Sequence, residues 1–248
     1  MIVIQDLHKS YAQRKNRKLV LKGITCTAKD GEVYGLLGPN GAGKTTTLRT
    51  IATLLRPDSG MVWVDGHDVV NEGRLVRDSI GFLTGEMRLA GQLSCRELLR
   101  FFGRLNHMPS QIIEERIVAL TKDFAMEKYL DTPIAKLSSG MTQKVSLAVS
   151  IIHEPHNIIF DEPTSNLDVL AVKVISDFIR AAKNAGKCVV LSTHVLGEAQ
   201  RLCDRIGIIY DGRLLCEGPV HELLESHKVP DIETLFFSLV PDHRGAYE

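Results

Sequence analysis

Gly38-Pro39-Asn40-Gly41-Ala42-Gly43-Lys44-Thr45-Thr46 decides how the rest of this 248-residue chain is read. The run holds a G-x-x-x-x-G-K-[ST] pattern from Gly38 through Gly43, Lys44 and Thr45. An apolar stretch, Val33-Tyr34-Gly35-Leu36-Leu37, leads into it, and a helix-compatible stretch starts near Thr45. Strand, glycine-rich loop and helix in that order make a phosphate cradle. Glycines, lacking a Cβ, let successive backbone N–H groups turn toward one anion. The helix that follows adds the positive end of its dipole. At this spacing Lys44 is placed to neutralise β- and γ-phosphates, and the Thr45 hydroxyl to hold Mg²⁺. Binding of a nucleoside triphosphate is therefore expected here, in preference to an accidental glycine turn.

Composition narrows the class. Hydrophobic residues make up 44% and charged residues 24%, ample material for one large α/β domain or two small ones. Thirty basic and thirty acidic residues cancel, which argues against a protein devoted to nucleic acid. The first residues meet an acid at Asp6, too soon for a signal peptide. No apolar run approaches the roughly 20 residues of a membrane span. The longest, Val145 to Ile152, is interrupted by Ser146 and Ser150. Cys26, Cys95, Cys188, Cys203 and Cys216 are scattered without a C-x-x-C pair, as reduced thiols would be. His153 and His156 have no third ligand near them in sequence and read as surface histidines rather than a metal pair.

Strand-like and helix-like segments alternate, the pattern of an α/β fold with a largely parallel central sheet. Ile2 to Ala28 has β-type runs split by the basic stretch Arg14 to Lys18, then a turn at Asp30-Gly31. Asp65-Gly66 and Asp211-Gly212, each flanked by apolar runs, read as hairpins. Ser94-x-x-Glu97 is a capping box opening a helix over Cys95 to Leu105. Ile113, Ile117, Leu120 and Phe124 keep a helical period, as do Val172, Ile175, Ile179 and Ala182 before Gly186. The domain expected is 1–222, with a helical insertion over about 86–152, followed by a short helical tail over 223–248.

Ile158-Ile159-Phe160 ends in Asp161-Glu162, a buried strand delivering two carboxylates to the edge where α/β sheets place ligands. Asp161 suits a Mg²⁺ shell, and Glu162 suits orienting and deprotonating an attacking water. Leu137-Ser138-Ser139-Gly140-Met141 stands upstream; Ser165-Asn166-Leu167-Asp168 and Ser192-Thr193-His194 stand downstream. In this order and spacing the motifs resemble the ATP-binding-cassette (ABC) family, over nearly the whole chain. The resemblance implies the ABC type of P-loop NTPase fold, with an antiparallel N-terminal β part.

It also implies roles. Gly38, Pro39, Asn40, Gly41, Ala42, Gly43, Lys44, Thr45 and Thr46 would form the phosphate loop, with Tyr11 stacking on adenine. Ser138, Ser139, Gly140 and Met141 would be the signature turn that touches the ATP held by an opposite subunit. Thr45 and Asp161 would hold Mg²⁺, Glu162 would be the catalytic base, and His194 would read the γ-phosphate. Asp168 would be the D-loop aspartate linking the two sites. The partners implied are a second ATPase subunit, most simply a copy of this chain, and a separately encoded integral membrane subunit. That places the chain on the cytoplasmic face of a membrane.

Two departures stand out. The signature is L-S-S-G-M rather than L-S-G-G-Q, with Gly140 kept. The usual glutamine after Ile80-Gly81-Phe82-Leu83 is missing: Thr84-Gly85-Glu86 puts Gly85 in that slot, leaving Glu86 or Gln92 to supply the last metal ligand. Stretches such as Arg96 to Leu105, Ser138 to Val145 and Arg201 to Arg205 are most similar to the sodium-exporter branch of ATP-binding subunits. Drug and polysaccharide exporters are the alternatives, then a non-transport cassette ATPase. A P-loop GTPase would need an N/T-K-x-D motif, and Thr121-Lys122-Asp123-Phe124 falls out of register for one.

Overall fold

A computed structural model describes residues 1–13, 16–85 and 87–240. Two strands open the chain, β1 (Ile2–Gln13) and β2 (Asn16–Ala28), paired antiparallel from Ile2 opposite Ala28. The turn at Asp30-Gly31 feeds β3 (Val33–Leu37), the glycine-rich loop and α1 (Lys44–Ile51). Next come β4 (Ser59–Val64), β5 (His67–Asp68), α2 (Gly73–Ser79) and β6 (Ile80–Leu83). The helical insertion is α3 (Cys95–Leu105), α4 (Ser110–Asp123), a single 3₁₀ turn at Ile134–Lys136 and α5 (Ser139–Ser150). Alternation resumes with β7 (Asn157–Asp161), α6 (Val169–Asn184), β8 (Cys188–Thr193) and α7 (Leu196–Leu202). A hairpin of β9 (Arg205–Tyr210) and β10 (Arg213–Pro219) precedes α8 (Val220–His227) and α9 (Ile232–Leu239).

The strands form two sheets, ordered β2-β1-β4-β5 and β10-β9-β3-β8-β7-β6. The first is antiparallel; the second is parallel except where β9 meets β10. Parallel strands covered on both faces must be apolar throughout, and every residue of β3, β7 and β8 is buried. The fold is the expected one: a mainly parallel sheet, an antiparallel N-terminal part and a helical insertion.

Local signals act where they were read. Asp65-Gly66 and Asp211-Gly212 are hairpin tips with φ of 50° and 84°, and of 44° and 75°, the double left-handed turn that matches strand twist. Ser94 and Glu97 satisfy each other's backbone N–H groups, and α3 starts at Cys95. Ile113, Ile117, Leu120 and Phe124 are all buried on one side of α4. Phe124 stacks on Phe178 of α6 at 4.8 Å between centroids, and Phe178 lies 6.5 Å from Phe160 of β7. That aromatic chain ties the helical insertion to the sheet, the fully buried Phe124 and Phe160 each contributing roughly 1.5–3 kcal/mol.

In the region of the expected tail, α8 begins at Val220 and Ile232 and Leu235 of α9 are buried in the main core; residues 241–248 lie outside the described residues. One expectation is corrected. His153 is not a freely exposed surface residue: it is half-buried, Nε2 lies 2.9 Å from the carbonyl of Ile80, and Nδ1 is buried without a partner among the described residues. His156 is exposed and lies beside Asp30 and Asp65, where the ammonium of Met1 already donates to both carboxylates.

The register decides where chemistry can happen. Leu37 of β3 pairs with Thr193 of β8, and Asp161 of β7 pairs with Ser192. Three neighbouring strands thus end level, delivering the glycine loop, the acidic pair and His194 to one edge of the sheet.

Candidate nucleotide site

The glycine loop is wedged between β9 and β2. A Cβ on Gly38 would sit 2.2 Å from the carbonyl oxygen of Ile209, and one on Gly43 would sit 2.6 Å from the Leu21 side chain. Gly43 also has φ of 116°, a conformation closed to ordinary L-residues. The β9–β10 hairpin tip props the loop, since Gly212 donates its N–H to Ala42 at 3.0 Å and accepts from Lys22 at 2.8 Å. Asn40, Gly41, Gly43, Lys44, Thr45 and Thr46 line a cavity of about 300 Å³, along with Tyr11, Lys18, Val20 and Glu162. Its size fits part of a nucleotide. A second depression, about 380 Å³ between α4 and α6, includes none of the expected site residues.

Lys44 lies across this cavity, only 5% exposed. Its Nζ donates to the carbonyl of Gly38 at 2.7 Å and of Pro39 at 3.2 Å, and stands 3.5 Å from Oε1 of Glu162. Burial pushes its ammonium below the ordinary lysine value, partly offset by the charge and hydrogen bond of Glu162 and the charge of Asp161. A phosphate would restore a full counter-charge.

Glu162 follows β7 with φ of 50°, an uncommon backbone for a side-chain-bearing residue. Neighbours hold it there. Its N–H donates to the carbonyl of Ser192 at 3.2 Å and to the Ser192 hydroxyl at 3.1 Å. Oε1 is 3.0 Å from Nδ1 of His194, and Oε2 accepts from Ser165 at 2.8 Å. Burial pushes this carboxyl up, but the hydrogen bonds of His194 and Ser165, with the His194 and Lys44 charges, bring it below the ordinary value. The group stays an ionised acceptor, the form a general base requires. Asp161 is buried and accepts from the Ser192 hydroxyl.

Ser138 caps α5, its hydroxyl accepting from Met141 N–H at 3.3 Å. Ser138 and Ser139 are exposed, and none of Ser138, Ser139, Gly140 or Met141 lines the cavity. A Cβ on Gly140 would lie 3.3 Å from the Asp168 carboxylate, which caps α6 through Leu170 and Ala171 N–H groups at 2.9 Å. The Ser138–Gly140 turn and Asp168 are therefore neighbours within one chain. Tyr11 is exposed at the cavity, its hydroxyl 3.4 Å from that of Thr46. Glu86 lies outside the described residues, Gln92 is exposed and away from the cavity, and a side chain at Gly85 would meet open space. Lys18 and Val20, which also line the cavity, are strand residues far from any motif and carry no local sequence signal.

A parallel sheet that presents a glycine loop, a lysine and an acidic pair at one edge defines a P-loop nucleoside triphosphatase. The family description "ABC transporter" matches residues 21–165. The chain is 38% identical over 239 residues to the ABC transporter ATP-binding protein NatA of Bacillus subtilis (strain 168), covering 96% of this chain and 97% of that one. It is 40% identical to the Nod factor export ATP-binding protein I of Rhizobium sp. (strain N33), over 85% and 69% of the two chains. It is 38% identical to the daunorubicin resistance ATP-binding protein DrrA3 of Streptomyces coeruleorubidus, over 90% and 69%. Among solved structures, the ATP-binding cassette MJ0796, a post-hydrolysis dimer bound to ADP and Pi, superposes with TM-score 0.81 at 26% identity, covering 88% and 98%. This chain belongs to the ABC transporter family, as an ATP-binding, ATP-hydrolysing subunit. Among the described residues no helix is long and apolar enough to cross a membrane.

Proposed function

We propose that this chain is the motor subunit of a membrane exporter of the sodium-efflux type, working as a head-to-tail pair closed over two ATP molecules. The observation that carries the reading is the wall of the cavity, where Glu162 lies 3.5 Å from Lys44 and 3.0 Å from His194. ATP entering the glycine loop takes Lys44 from the Gly38 and Pro39 carbonyls onto its β- and γ-phosphates. Ionised Glu162 orients a water against the γ-phosphate and accepts its proton, with His194 fixing the carboxylate. Tyr11 offers the adenine a stacking face.

Asp161 and the Thr45 hydroxyl are hard oxygen donors beside the phosphate position, a set that fits Mg²⁺. When bound, that ion would supply charge neutralisation on the β- and γ-phosphate oxygens.

The second copy supplies what one chain lacks. Exposed Ser138 and Ser139, at the N-terminal end of α5, offer an anion site away from their own cavity. Head-to-tail closure would bring them onto the opposite γ-phosphate, with Asp168 beside the seam. Closure would drive a separate membrane subunit, and hydrolysis would reopen the pair. Mixed dimers carrying Asn40→Cys in one copy and Ser139→Cys in the other test this. A bifunctional maleimide should join the two copies in ATP and not without nucleotide; joining indifferent to ATP contradicts the arrangement.

Sodium as cargo is supported by the match to NatA along nearly the full length of both chains. The Nod-factor and daunorubicin relatives are matched over 69% of their length, and their cargo types form the second reading. Sodium efflux from vesicles holding this chain and its membrane partner decides between them: ATP-dependent ²²Na⁺ movement is expected, and movement of daunorubicin alone would reverse the choice.

A further inference from the structure

Thr164 donates its hydroxyl to Oε2 of Glu198 at 2.7 Å. Both side chains are buried, Glu198 to 6% exposure and Thr164 to 8%. Thr164 stands two residues beyond Glu162, and Glu198 sits in the first turn of α7, four residues beyond His194. The contact therefore joins the loop that carries the acid to the helix that follows the histidine. The second oxygen, Oε1 of Glu198, is buried without a partner among the described residues. Burying a carboxylate with one bare oxygen is unfavourable compared with an apolar side chain of equal size. The core of α7 gains nothing from it in packing alone.

The same loop is held on its other side. Gln143 of α5 donates to the Pro163 carbonyl at 3.0 Å, between Glu162 and Thr164. On the histidine side, the Val195 N–H donates to the Thr193 hydroxyl at 3.0 Å, fixing the backbone that flanks His194. Glu162 meanwhile keeps a left-handed backbone, which persists only where surrounding contacts over-determine it.

We propose that Glu198 and Thr164 form a clasp that sets the Glu162 carboxylate against His194, making both of them positioning residues for ATP hydrolysis. Neither lines the nucleotide cavity. Loss of the clasp changes the alignment of the base and not the grip on ATP, so it acts on turnover rather than affinity. The inference depends on the assignment of Glu162 as the base.

Steady-state hydrolysis by the purified full chain, with thermal unfolding recorded alongside, provides the test. Thr164→Val keeps the shape and removes the hydroxyl, whereas Thr164→Ser keeps the hydroxyl. Thr164→Val and Glu198→Ala should each lower kcat about tenfold, with KM for ATP moving less than about twofold. Thr164→Ser should stay within about twofold of the parent. The double variant should fall no further than either single one, because both break the same contact. Parental turnover in Thr164→Val, a Thr164→Ser variant as impaired as Thr164→Val, or effects that multiply in the double variant would each overturn the clasp. If Glu198→Ala does not fold, the two Thr164 variants decide alone. Glu162→Gln in the same assay separates the layers: an active Glu162→Gln enzyme defeats the base assignment, whereas an inactive one beside normal clasp variants defeats only the clasp.

Discussion

Glu162 and His194 meet at 3.0 Å, Oε1 to Nδ1, across the level ends of β7 and β8. The contact holds the Glu162 carboxylate on one side while Ser165 holds its other oxygen at 2.8 Å. The pairing of Asp161 with Ser192 sets the two strand ends level, so the approach of acid and histidine follows from the register of β7 on β8.

Lys44→Ala removes the cation that lies across the cavity. Nucleotide affinity, measured with a fluorescent ATP analogue, should drop by about tenfold or more, equivalent to roughly 1.4 kcal/mol. The fold should survive, since among the described residues the Lys44 ammonium bonds to loop carbonyls and Glu162 rather than to the core. Unchanged affinity would remove Lys44 from the phosphate site.

Gly38→Ala drives a methyl group against the Ile209 carbonyl, where only 2.2 Å is open. The loop must shift away from β9, at a cost of about 1–3 kcal/mol in stability. Thermal unfolding and ATP affinity should fall together. Gly41→Ala is the comparison: its Cβ meets nothing within 4 Å, and only its φ of 82° opposes the change, so the loss there is conformational strain without a clash.

His153 supplies a pH dependence of stability. Burial lowers its pKa below the ordinary value; the Ile80 carbonyl and Asp78 oppose this, while the Arg116 and Lys187 charges reinforce it. The unfolded chain, titrating near the usual value of about 6.5, binds the proton first as pH falls. This group's contribution is therefore complete above that value and is lost progressively toward the depressed folded pKa. His153→Gln keeps a donor for the Ile80 carbonyl and removes the titration. Between pH 7.5 and pH 5.5 the parent should lose more thermal stability than the variant, by roughly 2 °C or more. Equal losses would show that His153 does not titrate differently in the two states.

Features written in a few consecutive residues were legible before any coordinates. The Ser94–Glu97 box, both Asp-Gly tips and the run from Gly38 to Thr46 each act through neighbours in sequence, so pattern and physics coincide. What escaped depends on partners far along the chain. The left-handed backbone of Glu162 is stabilised by Ser192, thirty residues on, and no local pattern announces it. His153 read as a surface histidine because no third ligand stands near it in sequence, yet β6 packs beside it and engages its ring through the Ile80 carbonyl. Lys18 and Val20 reach the cavity only because β2 crosses beside the glycine loop. Thr164 and Glu198 carry no motif of their own and become related only when β7 and β8 are placed side by side.

The most direct test of the central claim, that Glu162 held by His194 is the base of an ATP-driven dimer, is Glu162→Gln. ATP should bind with close to parental affinity, hydrolysis should fall by about 10²- to 10⁴-fold, and a dimer should accumulate on size-exclusion chromatography in ATP. A Glu162→Gln protein that hydrolyses ATP at the parental rate would contradict the account.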